Sequence, residues 1–242
     1  METGRSVLSE NCRGMPRIRI PFRGCREHFS EMKVFPSAAI CFWHITETEE
    51  ELAALLSHSP GVVDEAFRLF GSVSRRKEWM AVRVLLYAVM GRSVHLEYTS
   101  SGCPFLSGLS AQVSISHTGN YVALALTEIG RIGIDMELRT SRAHRLRKKF
   151  LTSDEEKILW KETEGGPDYS ALSAQDRAVL LWSAKEAAYK YFAPAGRVEL
   201  LRDIRLSFND GLLMASCKEC LPVEVSFFVS ETLILTVCQQ KW

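Results

Sequence analysis

The sequence has no strong net charge and no long apolar run. Its 30 Lys and Arg residues almost balance 29 Asp and Glu residues, which gives a formal charge of +1. A near-neutral chain creates no global field, so we predict neither nucleic acid nor a membrane as partner. The longest apolar run, Val84 to Met90, is far shorter than the about 18 residues of a membrane-spanning helix. The first residues also lack a hydrophobic signal core.

A disulfide framework is missing as well. The chain has 7 cysteines, an odd number, and they are scattered. Its single Cys-x-x-Cys pair, Cys217 and Cys220, has no second pair with which to hold zinc. We therefore expect ordinary thiols and a reducing, cytoplasmic compartment.

The most informative residues of the sequence are a few acidic side chains, and two of these lie on one predicted strand. Residues 132–137 alternate between large apolar side chains and Gly133, Asp135 and Glu137. Alternation at a period of two predicts a short buried strand. Asp135 and Glu137 then lie on the same face of that strand.

A third acid lies on a predicted helix between Gln175 and Phe192. Trp182, Glu186 and Lys190 follow one another at i,i+4 spacing, so they share one face of the helix. A Glu and Lys at this spacing are usually a solvated surface pair. This helix, however, is apolar nearly all round, and an acid there is expensive to bury unless it is paired or metal-bound.

If the helix crosses the strand, three carboxylates and a lysine converge. Three hard oxygen ligands with room for water and phosphate suit Mg²⁺. We therefore predict a magnesium site formed by Asp135, Glu137 and Glu186.

These segments resemble a known family. Ile-Gly-Ile-Asp-Met-Glu at 132–137, followed about 45 residues later by Trp-Ser-Ala-Lys-Glu-Ala-Ala-Tyr-Lys, resembles the two signature motifs of the 4′-phosphopantetheinyl transferases. Ser-Ile-Ser-His-Thr at 114–118 resembles the Ser-His motif upstream. From about Phe35 to the C-terminus, the chain looks like the larger class, in which two similar halves are fused.

The resemblance implies a reaction. The protein would transfer the 4′-phosphopantetheine group of coenzyme A to a serine hydroxyl of an apo acyl or peptidyl carrier protein, with Mg²⁺, releasing adenosine 3′,5′-bisphosphate. The catalytic residues would be Glu186, Asp135, Lys190 and His117. Either Glu186 or a water on the metal ion would take the serine proton.

The resemblance also implies which residues contact coenzyme A. They are Arg75, Arg76, Gly102, Cys103, Pro104, Ser116, His117, Asp135 and Lys190. Cys103 stands where the family has a lysine in a Gly-Lys-Pro loop, so one cationic contact is lost. Arg75 and Arg76 open a helix, where a run of charge is as often simply solvated.

A docking surface for the carrier protein is implied in the second half. We predict a basic helix there from Ala143 to Phe150, suited to an acidic helical partner. The docking residues would be Arg142, Arg145, Leu146, Arg147, Lys148, Lys149, Phe150 and Leu151. Without the resemblance, the same segment is a solvated basic helix.

Two alternatives remain. One is a Mg²⁺-dependent phosphohydrolase or nuclease, which also uses acids on a strand and a helix; the near-neutral charge and the Ser-His motif argue against it. The other is a degenerate homologue that binds coenzyme A without turnover, which only Cys103 favours.

The whole chain is predicted as an α+β fold of two similar halves, each with a long helix packed on a small antiparallel sheet. We expect a basic, poorly ordered extension at 1–34, an N-terminal half at 35–128 and a C-terminal half at 129–242. The C-terminal half would carry the metal site and the docking helix. We expect the active site at the interface of the halves, and a monomer.

Local signals add boundaries in the N-terminal half. Thr46 with Glu49 predicts a capping box at the start of a helix. Pro60 and Gly61 predict a break, with the next helix running from Val62 to Phe70. Residues 74–90 predict a long helix that ends at Gly91.

Overall fold

The computed structural model describes residues 38–160, 166–196 and 198–240. They divide into two compact units, one ending at Ile129 and the other beginning at Gly130. The predicted extension at 1–34 lies outside the described residues.

The first unit consists of one strand, three helices and four further strands. In chain order these are β1 (Ala38–His44), α1 (Glu49–Leu55), α2 (Pro60–Leu69), α3 (Val73–Met90), β2 (Leu96–Tyr98), β3 (Pro104–Leu106), β4 (Gln112–Thr118) and β5 (Tyr121–Thr127). An antiparallel sheet has the order β1-β5-β4, and β2 with β3 forms a separate hairpin. The apolar side of α3 packs into the core of this unit with Trp43, Leu52 and Leu124.

Two predicted boundaries in this unit are wrong. The capping box that forms is Thr48 with Glu51, at the start of α1, and not Thr46 with Glu49. The Thr-x-x-Glu spacing occurs twice in this stretch, and sequence alone did not decide between the two. Pro60 begins α2 instead of interrupting the chain, because the first helical position needs no N–H donor. In contrast, Gly91 ends α3 in the left-handed conformation, with φ 63°, as predicted.

The second unit begins with a strand, continues with five helices and ends with four strands. The elements are β6 (Ile132–Leu138), α4 (Ser141–Leu146), α5 (Ser153–Trp160), α6 (Gly166–Ser170), α7 (Ala174–Phe192), α8 (Leu200–Asp203), β7 (Ile204–Asn209), β8 (Leu212–Cys217), β9 (Val223–Val229) and β10 (Leu233–Gln239). Short 3₁₀ turns follow α4 and α7, at Arg147–Lys149 and Ala193–Ala195. The five strands form one antiparallel sheet in the order β6-β10-β9-β8-β7.

The basic segment after β6 differs from its prediction. α4 ends at Leu146, so no continuous helix reaches Phe150. Phe150 and Leu151 are buried in the core of the second unit. The helix ends here because these two apolar side chains are buried, although the helical pattern of the sequence continues.

The mixed α+β architecture with small antiparallel sheets is the predicted one. The repetition of two similar halves stays a prediction. In the described part of the chain, no helix is long and apolar enough to cross a membrane. Its cysteines, at positions 41, 103, 217, 220 and 238, are free thiols.

Candidate active site

A close approach of backbone to backbone brings α7 against β6. A Cβ added to Gly133 would lie 2.1 Å from the Ala187 carbonyl oxygen and 2.6 Å from the Tyr191 nitrogen. Only glycine fits this crossing. Because side chains alternate along a strand, Asp135 and Glu137 lie on the same face as Gly133 and are directed at the helix.

Lys190 of α7 reaches Asp135 across this contact. Its Nζ lies 2.8 Å from Asp135 Oδ1 and donates to the Ile134 carbonyl oxygen at 3.0 Å. Asp135 is buried, while Lys190 keeps part of its surface in solvent. The lysine therefore presents one positive charge at the edge of an otherwise acidic group.

Trp182, two turns before Lys190, holds the second strand acid. Its indole Nε1 donates to Glu137 Oε1 at 2.9 Å. The ring itself packs edge-on against Phe150, with centroids 5.1 Å apart. Glu137 is thus oriented by a rigid side chain that is fixed by the core.

Glu186 lies between Trp182 and Lys190 on the same helix. Burial raises the pKa of its carboxyl group to about 7, and the charges of Asp135 and Glu137 act in the same direction against the opposing effect of Lys190. Burial also raises the pKa of Glu137, together with the charge of Asp135, although the Trp182 donor opposes the shift. The group therefore holds more negative charge than Lys190 balances.

The donor chemistry of this group fits a hard divalent cation. Three carboxylates supply oxygen ligands, and a positive ion would relieve the repulsion that adds to burial in raising the pKa values of Glu137 and Glu186. Asp135 is held by Lys190 and Glu137 by Trp182, and among the described residues no three acids, histidines or cysteines are already arranged as a metal cluster. Asp135, Glu137 and Glu186 stay the predicted ligands.

The predicted coenzyme A residues of the first unit include a second polar group. Arg75 Nη1 lies 3.0 Å from His117 Nε2 and 2.8 Å from Glu78 Oε2. The other ring nitrogen of His117 lies 3.5 Å from the same Glu78 oxygen. Since the guanidinium can only donate, Nε2 accepts and Nδ1 carries the proton toward Glu78.

Sequence reasoning missed Glu78. The residue lies one turn after Arg75 on α3, at a spacing that is ordinary for a surface ion pair. Nothing in the local pattern showed that His117, on β4, also meets it.

The remaining predicted residues of the first unit are dispersed. Ser116 is buried on β4. Arg76 bonds to Glu49 with two guanidinium nitrogens and donates to the carbonyl oxygens of Phe70 and Gly71. Arg76 is therefore engaged in packing α1 and α2 against α3, which does not favour contact with phosphate.

Gly102, Cys103 and Pro104 form the turn and the first residue of the β2–β3 hairpin. Gly102 has a φ of +82°, and the Thr99 hydroxyl accepts from the Cys103 N–H at 3.1 Å. The Ser101 hydroxyl donates to the Cys103 sulfur at 3.7 Å. The turn is a defined structure without any cationic side chain at position 103.

A buried ion pair next to the acids was also missed. Lys185, which precedes Glu186, is 0% exposed and its Nζ lies 2.8 Å from Oε2 of Glu155, which is 2% exposed. The other Glu155 oxygen accepts from the Leu206 N–H at 2.9 Å. The pair ties α5, α7 and β7 together, and burial lowers the pKa of Lys185.

The predicted docking segment is only partly a surface. Its exposed basic side chains are Arg142, Arg145, Lys148 and Lys149. Arg147 is half-buried and paired with Glu156 at 3.0 Å, and Leu146 is exposed. The inclusion of Phe150 and Leu151 was wrong, because both are core residues.

Comparisons with known proteins agree on one family. Residues 131–231 match the model described as the 4′-phosphopantetheinyl transferase superfamily. The 4′-phosphopantetheinyl transferases AcpT of Salmonella typhi and of Salmonella typhimurium are each 35% identical to the chain over 65 residues, which is 26% of this chain and 34% of theirs. The chain thus spans about a third of the length of these curated relatives. The matched region contains Asp135, Glu137, Glu186 and Lys190, and the match confirms the resemblance of these motifs to the 4′-phosphopantetheinyl transferase superfamily.

Proposed function

We propose that the protein transfers 4′-phosphopantetheine from coenzyme A to a serine hydroxyl of an apo acyl or peptidyl carrier protein, with Mg²⁺. The observation that carries the proposal is the group of three acids and one lysine at the crossing of β6 and α7. This group lies within the region that matches the family. The released product is adenosine 3′,5′-bisphosphate.

Asp135, Glu137 and Glu186 are the proposed Mg²⁺ ligands. When bound, the ion neutralises phosphate oxygens and stabilises the leaving phosphate. Trp182 supports this role because it fixes the orientation of Glu137. Lys190 adds a point charge for the pyrophosphate at the exposed edge of the group.

The proton of the attacking serine needs an acceptor. In the proposed reaction, the serine oxygen forms a bond to the phosphorus that carries the pantetheine, and the bond from that phosphorus to the oxygen of adenosine 3′,5′-bisphosphate breaks. Either the Glu186 carboxylate or a water held by the ion takes this proton.

Arg75 and His117 are the proposed phosphate contacts of the first unit. Both side chains are largely exposed and lie within hydrogen-bond distance of each other. A guanidinium and an imidazole are suitable donors for phosphate oxygens. Ser116 directly precedes His117 on β4. We do not propose that Arg76 contacts phosphate, because it is bonded to Glu49.

The predicted repetition of two halves belongs to the same proposal. In each unit the first strand pairs antiparallel with the last strand, β1 with β5 and β6 with β10. In each unit a long helix, α3 or α7, separates the first strand from the others. This shared order supports a duplication.

The direct test is to incubate the full chain with coenzyme A, MgCl₂ and an apo carrier protein, and to measure the mass of the carrier by mass spectrometry. We expect one phosphopantetheine adduct, lost when the carrier serine is replaced by alanine or when EDTA is added. A phosphohydrolase would cleave coenzyme A without any carrier. A non-catalytic homologue would bind coenzyme A and leave the carrier mass unchanged, and either result contradicts the proposal.

A further inference from the structure

A small cavity lies in the first unit beside α3. Arg83 and Tyr87 of α3 line it together with His58 and Ser59, which precede α2, and Ser93, which follows α3. Apolar residues close the rest of the wall. The cavity has a volume of about 20 Å³, and none of the residues proposed above for transfer lines it.

Arg83 is the unusual residue of this cavity. It is buried to all but 7% of its surface. Its guanidinium lies over the Trp79 ring, 3.1 Å from the centroid, and donates to the Trp79 carbonyl oxygen at 3.3 Å. Tyr98 is a further polar neighbour of the guanidinium. A guanidinium has five N–H donors, so these partners leave several of them for another acceptor.

Arg83 has no carboxylate partner among the described residues. In the described residues, no acid lies within ion-pair distance of it, and Glu65 acts on it only at longer range. Burial accordingly lowers the pKa of Arg83. A buried charge without a counter-ion is costly, and structures normally supply one.

The other polar groups of the wall are hydroxyls and an imidazole. The hydroxyls of Ser59 and Ser93 lie 3.1 Å apart, and His58 packs on the Tyr87 ring with centroids 3.7 Å apart. In the part of the chain that the structure describes, no acidic side chain lines the cavity. Its polar wall is therefore complementary to negative charge.

We infer that this cavity binds one small monovalent anion, of the size of chloride or of the carboxylate of acetate, with Arg83 as its counter-ion and the hydroxyls of Ser59 and Ser93 as donors. The size follows from the volume, because a cavity needs about 10 to 15 Å³ of such space for a single water. The site is independent of the proposed transfer, and the bound anion would hold the segment before α2 and the segment after α3 against α3.

Thermal unfolding of the full chain tests the site. Acetate or chloride is titrated at constant pH and ionic strength, with gluconate as the replacing anion. We expect a saturable rise in Tm, of about 3 °C or more at ten times the dissociation constant. Arg83→Met, which removes the buried charge and keeps the length of the side chain, should lose this rise.

The matched control is Arg68→Met, because Arg68 is an arginine of α2 whose side chain is 75% exposed. It should keep the full anion-dependent rise. The inference is overturned if the wild type shows no saturable rise, or if Arg83→Met responds as the wild type does.

A second measurement does not depend on the folding of Arg83→Met. In the wild type, the backbone amide resonances of Ser59 and Ser93 should shift together with acetate and saturate with one dissociation constant. In the double variant Ser59→Ala and Ser93→Ala, that constant should rise by about threefold or more, because two donors are lost. Unshifted resonances in the wild type, or an unchanged constant in the double variant, contradict the inference.

Discussion

Glu186 shows at the residue scale how the helix around it changes its chemistry. The i,i+4 spacing to Lys190 alone describes a surface pair. In the folded unit the carboxyl group is shielded beside Asp135 and Glu137, and burial raises its pKa to about 7. A group in this state can hold a metal ion or take a proton at neutral pH.

The substitution Glu186→Gln should abolish most of the transfer and leave the fold intact. It keeps the shape of the side chain but removes the charge of one proposed metal ligand, which is also one of the two candidate bases. We expect a loss of about 10²-fold or more in kcat, measured by the mass of the carrier protein over time. Circular dichroism should be unchanged, and Glu219→Gln, at an exposed position, should behave as the wild type. Near wild-type turnover of Glu186→Gln would mean that the metal site is misplaced.

Substitutions of the adjacent residues Arg75 and Arg76 are expected to have different effects. Arg75 is 52% exposed beside His117, whereas Arg76 is 13% exposed and bound to Glu49. Arg75→Met should raise the KM for coenzyme A about fivefold, the equivalent of about 1 kcal/mol, with little change in stability. Arg76→Met should instead lower the free energy of unfolding by about 2 kcal/mol and leave that KM nearly constant. Steady-state kinetics measures the KM and urea unfolding measures the stability. If Arg76→Met raised the KM and Arg75→Met lowered the stability, Arg76 rather than Arg75 would be the phosphate contact.

Sequence reasoning placed the individual acids well where local geometry was sufficient. Strand alternation put Asp135 and Glu137 on one face, and helical spacing put Glu186 with Lys190. It did not reveal the Lys185–Glu155 pair, because the partners lie on different helices. Thr152 and Glu155 have the spacing of a capping box, and both hydrogen bonds of that box are present. The burial of Glu155 and its further bond, to Leu206, arise from packing between elements.

At the scale of elements, the crossing of α7 over β6 depends on Gly133. Gly133→Ala should lower the free energy of unfolding by about 3 kcal/mol, because the new Cβ would overlap the Ala187 carbonyl oxygen and backbone cannot yield as a side chain can. Urea unfolding measures the loss. The control is Gly61→Ala in α2, where an added Cβ meets no atom within 4 Å. Equal stabilities of the two variants would show that α7 can move away from β6 to accommodate the added Cβ.

The N-terminal end of α7 is fixed to the end of β6 by a two-bond ion pair. Arg139 Nε and Nη2 each donate to Asp176 at 2.9 Å, and Arg139 also donates to the Ser230 carbonyl oxygen at 2.7 Å. The hydrogen bonds from Arg139 hold the pKa of the Asp176 carboxyl below its ordinary value. Its stabilising effect is therefore complete above the unfolded pKa of about 3.9 and is lost as the pH falls through the lower, folded-state pKa.

Asp176→Asn should accordingly destabilise the protein in a pH-dependent way. At pH 7 we expect a loss of about 1 to 3 kcal/mol in the free energy of unfolding, because a charge-assisted bidentate bond is weakened. The difference from the wild type should shrink as the pH falls below about 4. Urea unfolding at pH 7 and at pH 3 measures it. Asp154→Asn, at an exposed ion pair, should show little effect at either pH, and a constant difference for Asp176→Asn would contradict the linkage.

Helices and strands were predicted most reliably where a regular apolar pattern continues over many residues. The long helices α3 and α7 lie close to their predicted bounds, since periodicity persists over many residues there. The segment after β6 was predicted poorly. Its basic side chains continue a helical pattern, yet Phe150 and Leu151 turn inward to the core, and the helix ends before them.

At the scale of the whole molecule, the net charge conceals a local concentration of positive charge. The formal charge is only +1, but residues 142–149 contain no acid. Arg142, Arg145, Lys148 and Lys149 are exposed there, and Arg142 acts on Glu137 at a distance. This basic segment thus joins an exposed surface to the proposed active site within one unit.

The last prediction concerns the carrier protein, and it rests on the proposed transfer. Carrier proteins of this kind present an acidic helix beside the modified serine. Complementary charge steers encounter and sets orientation more than it affects the chemical step. The double reversal Arg145→Glu and Lys149→Glu should therefore raise the KM for the carrier several-fold and flatten its dependence on salt, with the KM for coenzyme A nearly constant. Reversal of Arg202 and Lys218, which are exposed basic residues outside this segment, is the matched control. A similar rise in both KM values would indicate general disruption, and an unchanged KM for the carrier would place the docking surface elsewhere.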